Sequence, residues 1–381
     1  MFLWCKNDTM QVKQTRGHHF PHSLIRRLWA RKTRKKQSKE TKSELKALAM
    51  NSTNSTFSLN AALVHPPFFF ISGLSMPHAK YYYVFLCFVF VVSVLGNSFV
   101  MFSIYKERSF HTPKYMAVFN LSLADLGESA ALIPNLIAMF LFDSQYISFD
   151  ACLANMFFVF FFTCLQSLSL AVLAYDRLVA ICLPLRYHAI NTMPSMAVIL
   201  TVVWAYNSVL LFLMVSLVPR LSFCKSIVVE SYFCDHGPIF RMACNNNHVN
   251  IIMGIVVTVL LFCVPFFFTV LSYLFIARAL FKIASWEGRL KAMKTCSAHL
   301  ILVAVYYLPI LYTYVSPLLF RIHPNVRIMS TSFAKAIIPM MNPIIYVLST
   351  EEVKEFSKKL FKRKTCNHNR NIFKNKNKGM N

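Results

Sequence analysis

Four ionisable side chains lie within otherwise apolar stretches of this chain: Asp125, Glu128, His299 and Lys335. Acid–base or metal chemistry at such positions needs clustered acids, bases or ligands. The three candidates for it, Asp125, Glu128 and His299, show no metal-ligand spacing, so we expect neither an enzyme active site nor a cofactor. Isolated ionisable groups of this kind usually face the interior of a helix bundle or a water-filled cavity.

The stretches that carry these residues are long enough to cross a membrane. About 20 apolar residues in a helix span a hydrocarbon core of about 30 Å. Only 14% of the residues are charged, whereas about a quarter are charged in a typical soluble protein. We therefore predict an all-α membrane protein with a bundle of seven transmembrane helices. The spans are expected at 81–105, 115–142, 151–175, 189–219, 242–277, 295–320 and 328–349.

The net charge of +25 comes mainly from the two ends of the chain. Residues 1–49 hold 13 Lys and Arg against 3 Asp and Glu, and residues 351–381 hold 10 against 3. A nucleic-acid-binding domain would need basic residues on one folded face, among polar or aromatic neighbours. The distribution therefore argues against nucleic acid as a partner.

Lys and Arg residues in short loops indicate the orientation, because such loops stay in the cytoplasm. Basic residues follow the first, third and fifth predicted spans, and the basic tail follows the seventh. They include Lys106, Arg108, Lys114, Arg177, Arg186, Arg278, Lys282, Arg289, Lys291 and Lys294. This arrangement puts the N-terminus outside, on the side where Asn51 and Asn54 begin Asn-Ser-Thr glycosylation sequons.

Residues 1–49 conflict with that orientation, because a basic segment without a signal peptide resists translocation. We expect them to be disordered or not part of the protein proper, which would begin near Met50; a functional basic arm is the alternative. Residues 50–80 form an extracellular segment, 81–350 the bundle and 351–381 a basic cytoplasmic tail. In that tail, 351–361 predict a short amphipathic helix on the inner membrane surface, and Cys366 is a palmitoylation candidate.

Four cysteines lie where the outer face is expected. Cys152 begins the third span, and Cys224, Cys234 and Cys244 are evenly spaced in the loop between the fourth and fifth spans. They can form two disulfides that hold this loop as a lid over the bundle. Zinc is the alternative because His236 and His248 are nearby, but an oxidising outer face favours disulfides.

Several short motifs occur in order along the chain. They are Gly96-Asn97, Leu121-Ser-Leu-Ala-Asp125, Ala174-Tyr-Asp-Arg-Leu-Val-Ala-Ile-Cys182, Pro184-Leu-Arg-Tyr187, Ser272-Tyr273, Lys291-Ala-Met-Lys-Thr-Cys-Ser-Ala-His-Leu300 and Pro339-Met-Met-Asn-Pro-Ile-Ile-Tyr346. The set resembles the rhodopsin-like (class A) G-protein-coupled receptors over roughly residues 60–360. The third and sixth motifs, with Phe110-His-Thr-Pro113 and the evenly spaced loop cysteines, more narrowly resemble the odorant receptors.

The resemblance implies roles for particular residues. G-protein coupling and activation would involve Asp176, Arg177, Tyr273, Asn342, Pro343 and Tyr346. A buried polar network would contain Asn97, Asp125 and Asn342, with a possible sodium ion near Asp125. The disulfides would be Cys152–Cys234 and Cys224–Cys244. An interfacial anchor at Arg177 and a purely structural network at Asp125 are the alternatives.

Fewer residues indicate where a ligand would bind. Val159 stands where amine receptors carry an aspartate, so no counter-charge for a protonated amine is expected there. The candidate ligand contacts are Val159, Phe160, Thr163, Thr258 and Tyr307. The family often has glycine after this tyrosine, and here Leu308-Pro309 follows instead, which leaves the pocket shape open.

The function implied is that of a multi-pass plasma-membrane odorant receptor. Its partners would be a small organic odorant, a heterotrimeric G protein of the stimulatory type, and membrane lipid. A non-olfactory class A receptor for a lipid or peptide is the nearest alternative. A small-solute transporter would be expected to show repeated halves with several intramembrane charges or broken helices, and no internal repeat is found.

Overall fold

A computed structural model of the chain describes residues 65–74, 76, 79–141, 144–224, 226–282, 285–319, 323–349 and 353–355. The predictions for residues 1–49, for the sequons at Asn51 and Asn54, and for Cys366 fall outside these residues. Most of the amphipathic helix predicted at 351–361 also lies outside them.

Within the described residues, seven helices are long and apolar enough to cross a membrane, which confirms the predicted number of spans. Several are longer than the apolar runs, because a helix can continue beyond the hydrocarbon where its charged side chains reach water. Thus the sixth helix begins at Trp286, before its basic residues. The seven are α1 (Ala79–Lys106), α2 (Pro113–Leu141), α3 (Phe149–Cys182), α4 (Met193–Ser216), α5 (His248–Phe281), α6 (Trp286–Leu319) and α7 (Pro324–Ser349).

A π-helical segment, Val259–Cys263, interrupts α5 between His248–Thr258 and Val264–Phe281. Pro265 follows it and has no backbone N–H, so the usual bond to the carbonyl of Leu261 cannot form. A wider turn at this point is a common response to such a break. The shorter helical segments are Arg108–Phe110, Pro184–Arg186, Tyr187–Ile190, Val218–Arg220 and His236–Met242.

A small sheet beside the first turn of α3 departs from the all-α prediction. Its central strand, β1 (Phe68–Ile71), pairs antiparallel with β2 (Tyr146–Ser148) and parallel with β3 (Val228–Val229). In β1, Phe69 and Ile71 are buried and Phe68 is exposed, as the alternation of side chains along a strand requires. Runs this short have no distinct sequence pattern, and only the folded chain brings the three strands together.

The third helix is the most buried of the seven and packs against α2, α4, α5 and α6. The seventh packs against α1, α2 and α6. Close contact between α1 and α7 depends on Gly96, because a Cβ there would lie only 2.8 Å from Cγ of Pro343. The polar side chains of α2, α3 and α7 therefore face one another in the interior.

Candidate functional site

A buried carboxylate joins three helices. Asp125 of α2 is fully buried, and its two oxygens accept hydrogen bonds from Nδ2 of Asn342 on α7 at 3.1 and 2.9 Å. Nε2 of Gln166 on α3 donates to Oδ1 of Asp125 at 2.9 Å. The carboxylate oxygens thus face amide N–H groups, which carry partial positive charge. A cation would need oxygen atoms in those places. The arrangement therefore does not fit the sodium ion that the resemblance implied near Asp125.

Asn97 was expected in the same network, but its described hydrogen bonds go to Ser93 and Pro339 and not to Asp125 or Asn342. Its Nδ2 donates to the carbonyl of Pro339 at 2.8 Å and to that of Ser93 at 3.0 Å. Pro339 lies four residues before Pro343, which has no N–H to offer that carbonyl. The side chain of α1 thus replaces the backbone bond that the proline removes from α7.

A buried ion pair lies further along α2 and α7. Nζ of Lys335 is 2.8 Å from Oε1 of Glu128, and both side chains are almost fully buried. Nζ also donates to Oγ1 of Thr163 on α3 at 2.6 Å. A buried charge without a partner is costly, so each of these ions needs the other inside the bundle.

One side chain connects the ion pair to the Asp125 cluster. Nε2 of Gln166 carries two N–H groups, and it donates to Oε2 of Glu128 and Oδ1 of Asp125, each at 2.9 Å. A continuous hydrogen-bonded chain therefore runs from Lys335 through Glu128, Gln166 and Asp125 to Asn342. We call this the polar chain.

At the opposite end of α3 from Cys152, Asp176 holds its neighbour Arg177. A guanidinium nitrogen of Arg177 lies 3.1 Å from Oδ2 of Asp176. The other carboxylate oxygen accepts bonds from the Tyr187 hydroxyl at 2.8 Å and from Nδ2 of Asn191 at 2.6 Å. Burial, and then the charge of Asp176, raise the pKa of Tyr187 to about 12, so its hydroxyl remains a donor.

Tyr273 of α5 contacts α6 near that same end. Its hydroxyl lies 2.8 Å from Nδ1 of His299, and Nε2 of His299 lies 3.2 Å from the carbonyl of Leu170 on α3. A carbonyl can only accept, so Nε2 carries the proton and Nδ1 accepts from Tyr273. Tyr346 is half-buried against the hydrophobic cluster that contains Tyr306 and Tyr307.

The loop between α4 and α5, which we call the lid, is tied to the ends of α3 and α7. Disulfides join Cys152 to Cys234 and Cys224 to Cys244, with Cα atoms 5.4 and 5.9 Å apart. Arg327, in the first turn of α7, pairs with Asp235 at 3.6 Å and also donates to the carbonyl of Glu230.

The lid places His236 in an apolar environment. Its ring contacts Phe240 and lies 6.4 Å from the ring of Phe160 on α3. Only 7% of the residue is exposed, and among the described residues Nε2 has no hydrogen-bond partner. Burial lowers the pKa of His236 to about 3, so the imidazole is neutral at physiological pH.

Comparison with known proteins identifies the family. A family model described as "Olfactory receptor" matches residues 86–364 of this chain. Olfactory receptor 52B2 of Homo sapiens is 33% identical over 301 residues, which are 78% of this chain and 93% of the relative. Olfactory receptor 1M1 of Mus musculus is 34% identical over 280 residues, 74% of this chain and 89% of the relative. This chain belongs to the olfactory receptor family.

As an olfactory receptor, the protein is a G-protein-coupled receptor for small odorants and not an enzyme. The family and the seven apolar helices together make it a multi-pass protein of the plasma membrane. No cluster of three or more His, Cys, Asp or Glu side chains suited to a metal ion occurs in the described part of the receptor.

The receptor brings some of the predicted ligand contacts together. Val159 is fully buried, Thr163 bonds to the Lys335–Glu128 pair, and the ring of Phe160 lies 6.0 Å from Nζ of Lys335. Tyr307 of α6 contacts α3 one turn further along, where its hydroxyl lies 2.7 Å from Oγ of Ser167. Thr258 differs from these because its side chain is exposed and bonded to the carbonyl of Gly254.

Several functional candidates were not predicted from the sequence. The sequence indicates Lys335 and Glu128 only as isolated charges and His236 only as a ligand in the zinc alternative, and it indicates no role for Gln166. Opposite charges in two different spans are a usable signal, because each buried ion needs a counter-ion. The bridging role of Gln166 has no such signal, since it depends on how α2 and α3 pack.

Proposed function

We propose that this receptor binds a small organic odorant beneath the lid, between α2, α3, α6 and α7, and activates a G protein of the stimulatory type. The polar chain is the observation that carries this proposal. It begins at Lys335, near the aromatic side chains of the lid, and ends at Asn342, beside Pro343. A ligand that alters its outer end can therefore alter the packing of α7.

The ligand acts by favouring one of two arrangements of the helices. It can shift their balance only as far as its affinities for the two arrangements differ. Contacts between helices that can differ between the two arrangements lie at both ends of the bundle. The ion pair joins α2 to α7 at one end, and Tyr273 joins α5 to α6 at the other.

In this proposal Arg177 is the main contact for the G protein. Asp176 holds its guanidinium group in the arrangement described, and Tyr187 and Asn191 hold Asp176 in turn. Opening of the helices at this end would release Arg177 toward an acceptor on the G protein. The stimulatory type is supported by the family resemblance of the flanking Ala174–Cys182 motif.

The proposed orientation places the lid outside the cell and Arg177 inside. Disulfides form and persist in oxidising compartments, and the two described ones lie at the opposite end of α3 from Arg177. Membrane lipid is the proposed partner of the outward helix faces. They expose large apolar side chains such as Phe88 (64%), Phe212 (66%) and Phe267 (66%).

The test is cyclic AMP accumulation in cells that display the full chain and receive mixed odorants. Arg177→Ala should abolish the rise without reducing the amount of receptor at the surface. Arg220→Ala, at the lid end of α4, is the matched control and should leave the rise unchanged.

The other outcomes separate the alternatives. A response through a different G protein would contradict the stimulatory type alone. Silence toward odorants with a response to lipids or peptides would support the non-olfactory receptor. Flux of a labelled solute without any G-protein signal would support a transporter.

A further inference from the structure

We propose that Lys335 recognises the odorant by donating a hydrogen bond to a neutral carbonyl oxygen, so that aldehydes, ketones and esters are the preferred ligands. This inference rests on the proposed receptor function and adds a ligand class and a specificity-determining residue to it. Four observations around Lys335 carry it.

The ammonium group of Lys335 has one unused donor. A lysine ammonium carries three N–H groups and no acceptor. Within the described residues, Nζ donates to Oε1 of Glu128 and to Oγ1 of Thr163, and no third acceptor is bonded to it. Since Lys335 is only 5% exposed, bulk water does not satisfy the remaining N–H.

Two aromatic rings lie near the ammonium group of Lys335. Nζ is 5.5 Å from the ring centroid of Phe233 in the lid and 6.0 Å from that of Phe160 on α3. These distances are near the limit of a cation–π attraction, which is weaker than a hydrogen bond from a charged donor. An oxygen acceptor held between the rings would therefore replace a weak contact with a stronger one.

The charges around Lys335 argue against an acidic ligand. The polar chain contains two carboxylates, Glu128 and Asp125, and a single ammonium group. Lys335 is already paired with Glu128, so a ligand carboxylate would add to this buried site a negative charge that no second ammonium group of the polar chain offsets. Like charges in a medium of low dielectric repel strongly.

An amine ligand is disfavoured for a different reason. Oε1 of Glu128 already accepts from Lys335 and Thr163, and Oε2 accepts from Gln166. A protonated amine would have to displace the ammonium group of Lys335 and then lie close to it. A carbonyl oxygen accepts the free N–H without bringing a charge or a donor of its own.

The apolar part of the ligand would lie against Phe160. The ring of this residue also faces His236, whose buried Nε2 has no partner among the described residues. Two incompletely bonded polar groups thus flank one aromatic ring. This pattern suits a small apolar molecule with one oxygen-bearing end.

The experiment uses the full chain and odorants on straight-chain, cyclohexyl and phenyl skeletons. On each skeleton the aldehyde, methyl ketone and ethyl ester are compared with the carboxylic acid, the primary amine and the hydrocarbon. The test variant is Glu128→Gln with Lys335→Met, which removes both charges together, because removal of one would leave the other buried without a partner. Lys80→Met, at an exposed position in the first turn of α1, is the matched control.

We expect the carbonyl compounds to be the most potent agonists on every skeleton that elicits a cyclic AMP response. The double variant should raise their half-maximal concentrations about tenfold to a hundredfold. The response to hydrocarbons should change less than about threefold, since they make no hydrogen bond. The control variant should match the unmodified receptor.

Two results would overturn this inference while leaving the receptor function intact. One is that acids or amines are the strongest agonists. The other is that the double variant shifts carbonyl compounds and hydrocarbons equally, which would make Lys335 and Glu128 only structural. Silence toward every compound from a chain present at the surface would contradict the proposed function itself.

Discussion

Nδ2 of Asn97 on α1 donates to the carbonyl of Pro339 on α7 at 2.8 Å, at the position where Pro343 removes the backbone donor. The bend that a proline permits in α7 is therefore supported from another helix. Gly96, next to Asn97, leaves room for the ring of Pro343. One pair of residues on α1 thus provides both the hydrogen bond and the space.

Replacing Asn97 by alanine should destabilise the receptor and alter α7. The lost bond leaves a buried carbonyl unpaired, which costs about 1–3 kcal/mol. Thermal unfolding of the detergent-solubilised receptor measures the loss. Asn207→Ala is the matched control, because Asn207 also donates to a buried carbonyl, that of Phe161 on α3. Both variants should lose stability, but only Asn97→Ala should change basal cyclic AMP.

The contact between Tyr273 and His299 should restrain signalling in the absence of ligand. Tyr273→Phe removes the hydroxyl that donates to Nδ1 of His299 and keeps the ring. A neutral hydrogen bond contributes about 1 kcal/mol, so basal cyclic AMP should rise roughly fivefold. Tyr312→Phe, at an exposed position on α6, should have no effect. A fall in basal activity for Tyr273→Phe would indicate that the bond supports the active arrangement instead.

The buried His236 predicts a dependence of stability on pH. Its pKa is lowered to about 3 by burial, from a usual value of about 6.5. The unfolded chain therefore binds a proton that the folded lid excludes, and stability falls as the pH drops below the usual value. The loss should approach about 1.4 kcal/mol for each pH unit once the pH is roughly one unit below the usual value.

Thermal unfolding at about pH 7.5 and about pH 5.5 measures this effect, because the two values bracket the usual pKa of histidine. His236→Gln should remove that part of the difference, whereas His248→Gln, at an exposed position, should not. An equal difference in both variants would mean that other groups are responsible.

The architecture could be predicted from the sequence, because a membrane imposes strong rules. The lengths of the apolar runs predicted the number of spans, and the motifs around Arg177 and Asn342 indicated the family. Helix ends such as Trp286 could not be located from hydropathy, since α6 continues past the apolar run. The strand β1 was missed because its pairing partners are distant in the chain.

The candidate site was only partly predictable. Asp125 and Asn342 were expected to meet, and they do so at hydrogen-bonding distance. The pairing of Glu128 with Lys335 depends on the relative rotation of α2 and α7, which periodicity alone does not give. Thr258 was a candidate because of its polarity, yet it lies on the exposed side of α5.

In the proposed mechanism the polar chain transmits ligand binding to α7, and a substitution of Gln166 tests this transmission most directly. Gln166→Leu keeps the approximate volume and removes both bridging N–H groups, to Glu128 and to Asp125. The measurement is cyclic AMP production together with binding of a radiolabelled agonist on the same cells. Gln145→Leu, in the loop before β2, is the matched control.

We predict that Gln166→Leu will retain agonist binding within about threefold but lose most of the cyclic AMP response, while the control behaves as the unmodified receptor. A full cyclic AMP response from Gln166→Leu would contradict the claim, because binding would then reach the G protein without this bridge.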